Sequence, residues 1–203
     1  YELMSFYDNH DMPRLQASDT GFIDAHNWLF TARGIPVLYY GSETGFMRGR
    51  AEHAGNRAYF GQKRIDEAPR SPIFAPLQRI ATLRQATPAL QRGLQVNEHL
   101  QGDTAVFFRV LQHGGVAQTA LVVLNKGDAA ATVPVRRYLQ AGTWRDALGG
   151  GTVQVRNQLD VAVPAHGVKV FVLDAPVRQP ALQAELDKAM ADQQARDRRL
   201  QRS

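Results

Sequence analysis

The 203-residue chain contains no cysteine. Disulfides, thiolate chemistry and cysteine-based zinc sites are therefore excluded, although this absence does not fix a compartment. No apolar run is long enough to span a membrane, and no signal-peptide pattern of a basic segment followed by an apolar one is visible. Charge of one sign is not concentrated either. The net charge is +5, but basic residues are scattered, and residues 178–203 alone hold six Lys/Arg against four Asp/Glu. No basic helix face with interleaved aromatics appears, so nucleic acid is not an expected partner, and neither is a membrane. What is present is an ordinary globular balance, 44% apolar and 21% charged, enough for a real core in one or two domains. The first residue is Tyr1 and the chain opens within an apolar run, so the sequence reads as a fragment of a longer one.

Hydrophobic patterning divides the chain near residue 94 and again near 176. Residues 2–7 (ELMSFY) read as a short strand. Ser18 or Asp19 then caps a helix carrying Phe22, Ala25, Leu29 and Ala32 at helical spacing, and Gly34 ends it in a left-handed conformation. Residues 36–40 (PVLYY) form a second apolar run, expected to be a strand buried on both faces. A polar loop over 41–70 follows. Ser71 caps and Pro72 opens another helix with Ile73, Leu77, Ile80 and Arg84 on one stripe, and Thr87-Pro88 starts a short turn of helix ending at Gly93. Strand, helix, strand, loop, helix implies a parallel sheet, open or closed into a barrel, whose reactive groups gather at the carboxyl ends of the strands.

Beyond 94 the pattern becomes short strands at 104–111, 119–124, 131–135, 143–146, 152–155, 159–163 and 168–173, with turn signals every eight to twelve residues. That spacing is expected of an antiparallel β-sandwich. Residues 177–203 form a polar tail with Leu182, Leu186 and Ala189, expected to be an exposed, frayed helix or partly disordered.

The stretch SFYDNHDMPR, residues 5–14, sets Asp8, Asn9, His10 and Asp11 behind the first strand. A lone His-Asp pair is more often a surface hydrogen bond than a site, and Asn9 reads equally well as a turn amide. Position at a strand end raises the functional reading: a carboxylate and an imidazole there can meet a substrate hydroxyl.

FYDNHD at 6–11 followed by Arg14, and GIPVLYYGSETG at 34–45, resemble two successive segments of the alpha-amylase superfamily, glycoside hydrolase family 13. In that family the first closes barrel strand seven, the second forms strand eight and its loop, and one helix lies between. The resemblance covers roughly residues 1–174. It implies an α/β plus all-β architecture: residues 1–94 as the C-terminal part of a (β/α)8 TIM barrel, 95–176 as the β-sandwich called domain C, and 177–203 as a helical tail. It also implies roles. Asp11 matches the third catalytic carboxylate, which holds sugar hydroxyls and stabilises an oxocarbenium-like transition state. His10 matches the histidine on the same sugar, and Asn9 and Arg14 are further substrate-site candidates. Glu43 is read as structural or remote, and Tyr39 and Tyr40 as barrel packing. In cyclodextrin glucanotransferase-like members a segment after strand eight carries Asp and Arg four apart and binds a donor-side glucose. In AEHAGNRAYF, 51–60, Arg57 fits the Arg position while His53 stands where the Asp would be.

The nucleophile pattern Gly-x-Arg-x-Asp and the acid/base Glu of that family do not occur here, and strands one to six are missing with them. Two strands cannot close a barrel. The expectation is a C-terminal portion of a glycoside hydrolase or glucanotransferase acting on starch-like α-glucans, inactive alone and dependent on the missing barrel part. The alternative is a carbohydrate-binding or structural sandwich module, for which Trp144 and Tyr138 are the few available aromatics. No cofactor is expected in this chain. The family's calcium sites lie mainly upstream, and no Asp/Asn-rich ligand loop is present. An enzyme on polymeric starch would be secreted or periplasmic, one on imported oligosaccharides cytoplasmic.

Overall fold

The computed structural model describes residues 3–200. Glu2, which the sequence places in the first strand, lies outside the described residues, as do tail residues 201–203. The first half begins with β1 (Met4–Ser5), α1 (Asp19–Thr31) and β2 (Ile35–Pro36). β1 and β2 pair in parallel, Met4 opposite Ile35 and Ser5 opposite Pro36. These strands are two residues each rather than the five or six expected, and among the described residues they pair only with one another and no closed barrel is formed. The run 36–40 is only partly buried, not covered on both faces: Leu38 packs against the core formed by α3, α4 and the large sheet, while Tyr40 is exposed.

Helix α1 starts as the sequence predicts: the Ser18 hydroxyl accepts the Gly21 N–H at 3.1 Å. It ends differently. The C-terminal cap is Ala32 in an extended conformation, and Gly34, at φ +103°, is demanded by close approach instead. A Cβ there would stand 2.1 Å from the Ser5 hydroxyl oxygen. Within the loop after β2 lie α2 (Gln62–Glu67) and three short 3-10 turns, none of them expected from the sequence. Helix α3 (Phe74–Ala86) begins two residues later than predicted, with the Ser71 hydroxyl accepting the Ile73 N–H, and α4 (Pro88–Arg92) follows.

The second half is a six-stranded antiparallel sheet in the order β3 (Leu94–Gln101), β4 (Thr104–His113), β5 (Val116–Asn125), β10 (Gly167–Leu173), β7 (Gly142–Asp146), β8 (Thr152–Val155). A separate antiparallel pair, β6 (Ala131–Val135) with β9 (Leu159–Val163), covers one face. On that face Val106, Phe108, Leu121, Val123 and Phe171 meet Val133, Val135, Val161 and Val163. On the other, Phe107, Leu111, Ala120, Val122, Val170 and Val172 meet Leu77, Ile80 and Leu83 of α3 and Ala89 and Leu90 of α4. The period of two thus sends alternate residues of the central strands to two different cores. Each fully buried aliphatic or aromatic side chain contributes about 1.5–3 kcal/mol.

The tail is helix α5 (Pro180–Leu200). Its first turns are not exposed as expected: Leu182 is buried in the sandwich core with Leu186 against it, and the Tyr138 hydroxyl donates to Glu185 Oε1 at 3.0 Å.

Two buried arginines join the halves. Arg109 in β4, 1% exposed, donates to the carbonyls of Thr31 (2.7 Å) and Gly93 (3.0 Å). Arg84 in α3 donates to the carbonyls of Phe30 (3.0 Å), Ala32 (3.1 Å) and Gly34. Both guanidiniums meet the carbonyl end of α1, where the helix dipole is negative. Burial, reinforced by the Arg84 charge, lowers the Arg109 pKa to about 9. A second clasp lies at the opposite side of α1. His166, between β9 and β10, sets Nδ1 2.7 Å from Asp24 of α1 and Nε2 2.9 Å from Asp128 in the turn after β5.

Substituting Arg109→Met is expected to leave two buried carbonyls without donors, at about 1–3 kcal/mol each. Urea unfolding should show the loss, and Arg109→Lys should rescue it only in part, because an ammonium lacks the fork.

Hydrogen bonding to Asp24 and Asp128 raises the His166 pKa above its ordinary value. The folded state therefore prefers the imidazolium. Its contribution to stability is complete below the unfolded-state pKa of about 6.5 and is lost as pH rises through the folded-state value. Urea midpoints measured across pH 5 to 8 should fall with rising pH in the wild type, and this component should vanish in His166→Gln.

Candidate functional site

The site is built on the loop leaving β1. Tyr7 lies two residues beyond the strand, and its hydroxyl shares a 2.6 Å hydrogen bond with His26 Nε2 of α1. Burial lowers the His26 pKa to about 4, so that imidazole is neutral, and raises the Tyr7 phenol above its ordinary value. The next residue, Asp8, points inward. Its carboxylate accepts the Ser42 hydroxyl (3.1 Å) and the Leu15 N–H (3.3 Å). Burial raises its pKa, opposed by those two hydrogen bonds and by the Arg14 charge. Asp8 thus ties the start of the loop, its end at Leu15, and the turn after β2.

Arg14 lies beneath this loop rather than on its open face. It is 2% exposed and donates to the carbonyls of Tyr40 (2.7 Å) and Asn56 (3.2 Å). Its guanidinium carbon stacks 4.0 Å from the Tyr39 ring centre and 4.8 Å from that of Tyr40. In this structure Arg14 is a positioning group, and Tyr39 and Tyr40 are its platform.

Above this base the chain turns. The Asn9 side-chain oxygen accepts the Asp11 N–H at 2.8 Å, an Asx turn that also gives Asn9 a fixed position. Buried Asn56 reaches in from the later loop and donates to the carbonyls of Asn9 (3.0 Å) and Met12. Asp11 projects outward with its side chain 60% exposed. His10 Nε2 lies 2.9 Å from one of its carboxylate oxygens, and Arg57 donates to the other at 2.9 Å. Arg57 also donates to the His10 carbonyl at 3.3 Å. The structure therefore brings Asn9, His10, Asp11 and Arg57 together at one solvent-facing point. Chemically this is a fixed carboxylate flanked by two nitrogen donors, suited to accept hydrogen bonds from neutral hydroxyls.

Glu43 sits in the short turn Ser42–Thr44 after β2. Trp144 and Tyr138, offered by the sequence as aromatics for a sugar-binding face, are both buried in the sandwich core, Trp144 completely and donating to the Gln140 carbonyl. They fill the space under β6 and β9 and present no ring to a ligand. Among the described residues no group of three or more His, Asp or Glu is arranged to hold a metal ion, and no helix is long and apolar enough to cross a membrane.

Sequence reasoning missed Asp8, Ser42 and Asn56 as supports. Asp8 carried a readable signal, a carboxylate directly after the apolar run 2–7 that would be expensive to bury unpaired. Ser42 and Asn56 carried none, since their partners lie 34 and 44 to 47 residues away in sequence.

A parallel β-α-β unit whose strand-end loops converge on an exposed carboxylate, followed by an antiparallel sandwich, is the arrangement of the closing part of a glycan-cleaving barrel enzyme. Comparison with known proteins agrees: the chain's homologues are cyclomaltodextrin glucanotransferases and alpha-amylases of glycoside hydrolase family 13, and its structural neighbours are enzymes of the same family, matched over a C-terminal part. It is 29% identical over 193 residues to a cyclomaltodextrin glucanotransferase of Paenibacillus macerans, covering 89% of this chain and 26% of that protein. A solved cyclomaltodextrin glucanotransferase with a three-domain ABC distribution superposes with a TM-score of 0.65 at 30% identity, over 86% of this chain and 37% of the other. The alpha-amylase of Geobacillus thermoleovorans, solved with acarbose, gives 0.71 at 25% identity, over 86% and 39%. No protein-family model matches the chain. The chain spans about a quarter of the length of the curated relatives it matches.

Asn56→Ala removes two hydrogen bonds to the Asn9–Met12 turn. It is expected to cost about 1–3 kcal/mol, read by urea unfolding, and to speed amide exchange at Asp11 and Met12 more than in β4 and β5.

Proposed function

We propose that this chain is the C-terminal portion of a retaining alpha-amylase-family glycosidase or glucanotransferase acting on the α-glucosidic bonds of starch-like glucans. The observation that carries the reading is Asp11: an exposed carboxylate on a turn pinned by Asn9 and Asn56, held between His10 and Arg57 at the carboxyl end of a parallel strand. In this role Asp11 accepts hydrogen bonds from hydroxyls of the sugar at the cleavage point. Those bonds strengthen as positive charge develops on the ring, so they favour the transition state over the ground state. His10 binds the same sugar, and Arg57 serves the neighbouring donor-side position. In the free site His10 and Arg57 already occupy the Asp11 oxygens, and sugar hydroxyls take their place on binding.

Bond cleavage with retention needs a nucleophile and an acid/base about 5–5.5 Å apart. Asp8, the carboxylate next to the site, is buried and committed to Ser42 and Leu15. The reading therefore assigns both roles to a barrel portion outside these 203 residues, which is also the partner the chain needs. Any calcium belongs to that portion, and no step is routed through it here. Support comes from the surface around β1. Leu3, Met4, Phe6, Trp28 and Ile35 are exposed together, and Met4, Phe6 and Trp28 line a cavity of about 710 Å³ beside the unpaired edge of the strand. Water as acceptor gives hydrolysis, and a sugar hydroxyl gives transfer. The rival reading, a sandwich that binds glucan by itself, loses its support because Trp144 and Tyr138 are buried. A buttress for the barrel fits the sandwich better.

The purified chain is expected to release no reducing sugar from maltodextrin; any rate that Asp11→Asn abolishes would overturn the proposed division of labour. Joined in frame to the barrel portion of a relative, the chain should support turnover, and Asp11→Asn should then lower kcat by about two to three orders of magnitude.

A further inference from the structure

One aromatic ring is held out into solvent further than the others among the described residues. Tyr59 is 87% exposed, the most exposed aromatic side chain among the described residues. Its hydroxyl has no hydrogen-bond partner among the described residues, and its ring takes no part in the aromatic clusters around it. The backbone that carries it is nevertheless fixed on both sides. Asn56 is buried under the Asn9–Met12 turn and Arg57 is bonded to His10 and Asp11. The Ala58 carbonyl accepts the Tyr40 hydroxyl at 2.7 Å. The Phe60 ring packs edge-on to Phe46 at 5.1 Å, and the Phe60 carbonyl accepts from Arg64 at 2.9 Å. Gly61 follows at φ +79°, and a Cβ there would stand 3.2 Å from the Tyr59 ring, so the ring lies over a residue that offers only backbone. A mobile loop tip would let such a ring fold back onto apolar surface; here every neighbour is anchored and the ring remains in solvent.

We infer that Tyr59 is a stacking platform for a glucose ring of an α-glucan chain, forming with Arg57 an outer sugar subsite on the open side of Asp11. The inference rests on the glucan reading given above and adds a residue to it. The C–H face of a pyranose is apolar and matches an aromatic face, while its hydroxyls radiate from the rim, where the Arg57 fork, two residues away in sequence, supplies donors. Tyrosine suits the task because its ring is rigid and its hydroxyl tolerates water, so little conformational freedom is lost on binding. The platform lies on the loop after β2, and the carboxylate lies on the loop after β1. A glucan touching both would cross from one strand-end loop to the next. In this arrangement Tyr59 holds a glucose other than the one at Asp11, so chain length becomes the property Tyr59 reads.

The test is calorimetric titration of the chain joined in frame to the barrel portion of a relative whose nucleophile has been replaced, with maltoheptaose as ligand and cellohexaose as the control of wrong linkage. Wild type and Tyr59→Phe are expected to bind maltoheptaose alike, Tyr59→Trp at least as tightly, and Tyr59→Ala about three- to tenfold more weakly. With maltose the Tyr59→Ala loss should shrink. The exposed position makes misfolding of these variants easy to exclude by their urea midpoints. Unchanged maltoheptaose affinity in Tyr59→Ala, with a loss in Arg57→Ala or His10→Ala, overturns the platform and leaves the glucan reading standing. No maltoheptaose binding by wild type, or equal binding of cellohexaose, overturns both.

Discussion

Everything in this molecule hangs from the carbonyl end of α1. A helix terminus leaves its last carbonyls without intrahelical donors, and burying such an end without partners is costly. Here the chain buries it between two layers and supplies two guanidiniums, Arg84 from α3 and Arg109 from the central strand β4. Neither has a carboxylate partner in this position; the carbonyl groups and the helix dipole stand in for one. An arginine is the suitable donor because its planar fork reaches several carbonyls at once and keeps its charge under desolvation that would neutralise a lysine. Burial does lower the Arg109 pKa, to about 9, yet that still leaves the group charged at neutral pH. The joint fixes where α1 ends, and therefore where β2 begins and pairs with β1.

The loop carrying Asp11 repeats the same logic at smaller scale. Short strands of two residues offer little ladder to hold a site, so side chains replace it. Asp8 receives Ser42 and Leu15, Arg14 spans Tyr40 and Asn56, and Asn56 grips the turn itself. All four of these side chains are buried, and each binds backbone or a neighbouring polar group from a distant segment. A buried polar set of this kind is demanding, since a half-satisfied network is worse than an apolar one. In return it fixes geometry, and of the two carboxylates in that loop, Asp8 and Asp11, only Asp11 is left in solvent.

Much of this was legible in the sequence, and the parts that were not share a physical cause. Ser18 as a cap, α1, α3, α4 and seven strands follow from local periodicity and turn chemistry, because those elements are decided within a few residues. The strand β3 escaped notice because LQVNEHLQ is an edge strand with a bulge between Asn97 and His99, which breaks the alternation. Gly34 was placed in the wrong role because its constraint comes from Ser5, 29 positions earlier. Arg84 on an apolar stripe and Arg109 inside TAVFFRVL were visible anomalies, but the carbonyls that answer them are 50 to 54 residues away for Arg84 and 16 and 78 residues away for Arg109. Trp144 read as a candidate surface aromatic for the opposite reason. Short β7 gives no hint that its inward face is covered by a second sheet. In the candidate site, the motif singled out Asp11, His10 and Arg57, while their meeting at one point depends on Asn56, whose partners no local pattern reveals.

The distribution of polar partners also explains why a site so open can be so well ordered. The anchors of the frame, Arg84, Arg109, Arg14, Asp8 and Asn56, direct the hydrogen bonds they make inward, although Arg14 Nε and Asn56 Oδ1 are buried without a partner. The groups that meet a sugar in the proposed reading, Asp11, His10 and Arg57, are paired with one another and are at least about half exposed. Exposed pairs of that kind contribute little to stability, about 0–1 kcal/mol. Replacing them with sugar hydroxyls therefore costs the fold almost nothing. The separation allows the loop to exchange its internal contacts for ligand contacts without loosening the turn that aims them. A carboxylate held by its own neighbours in the frame would have to give up stability to bind.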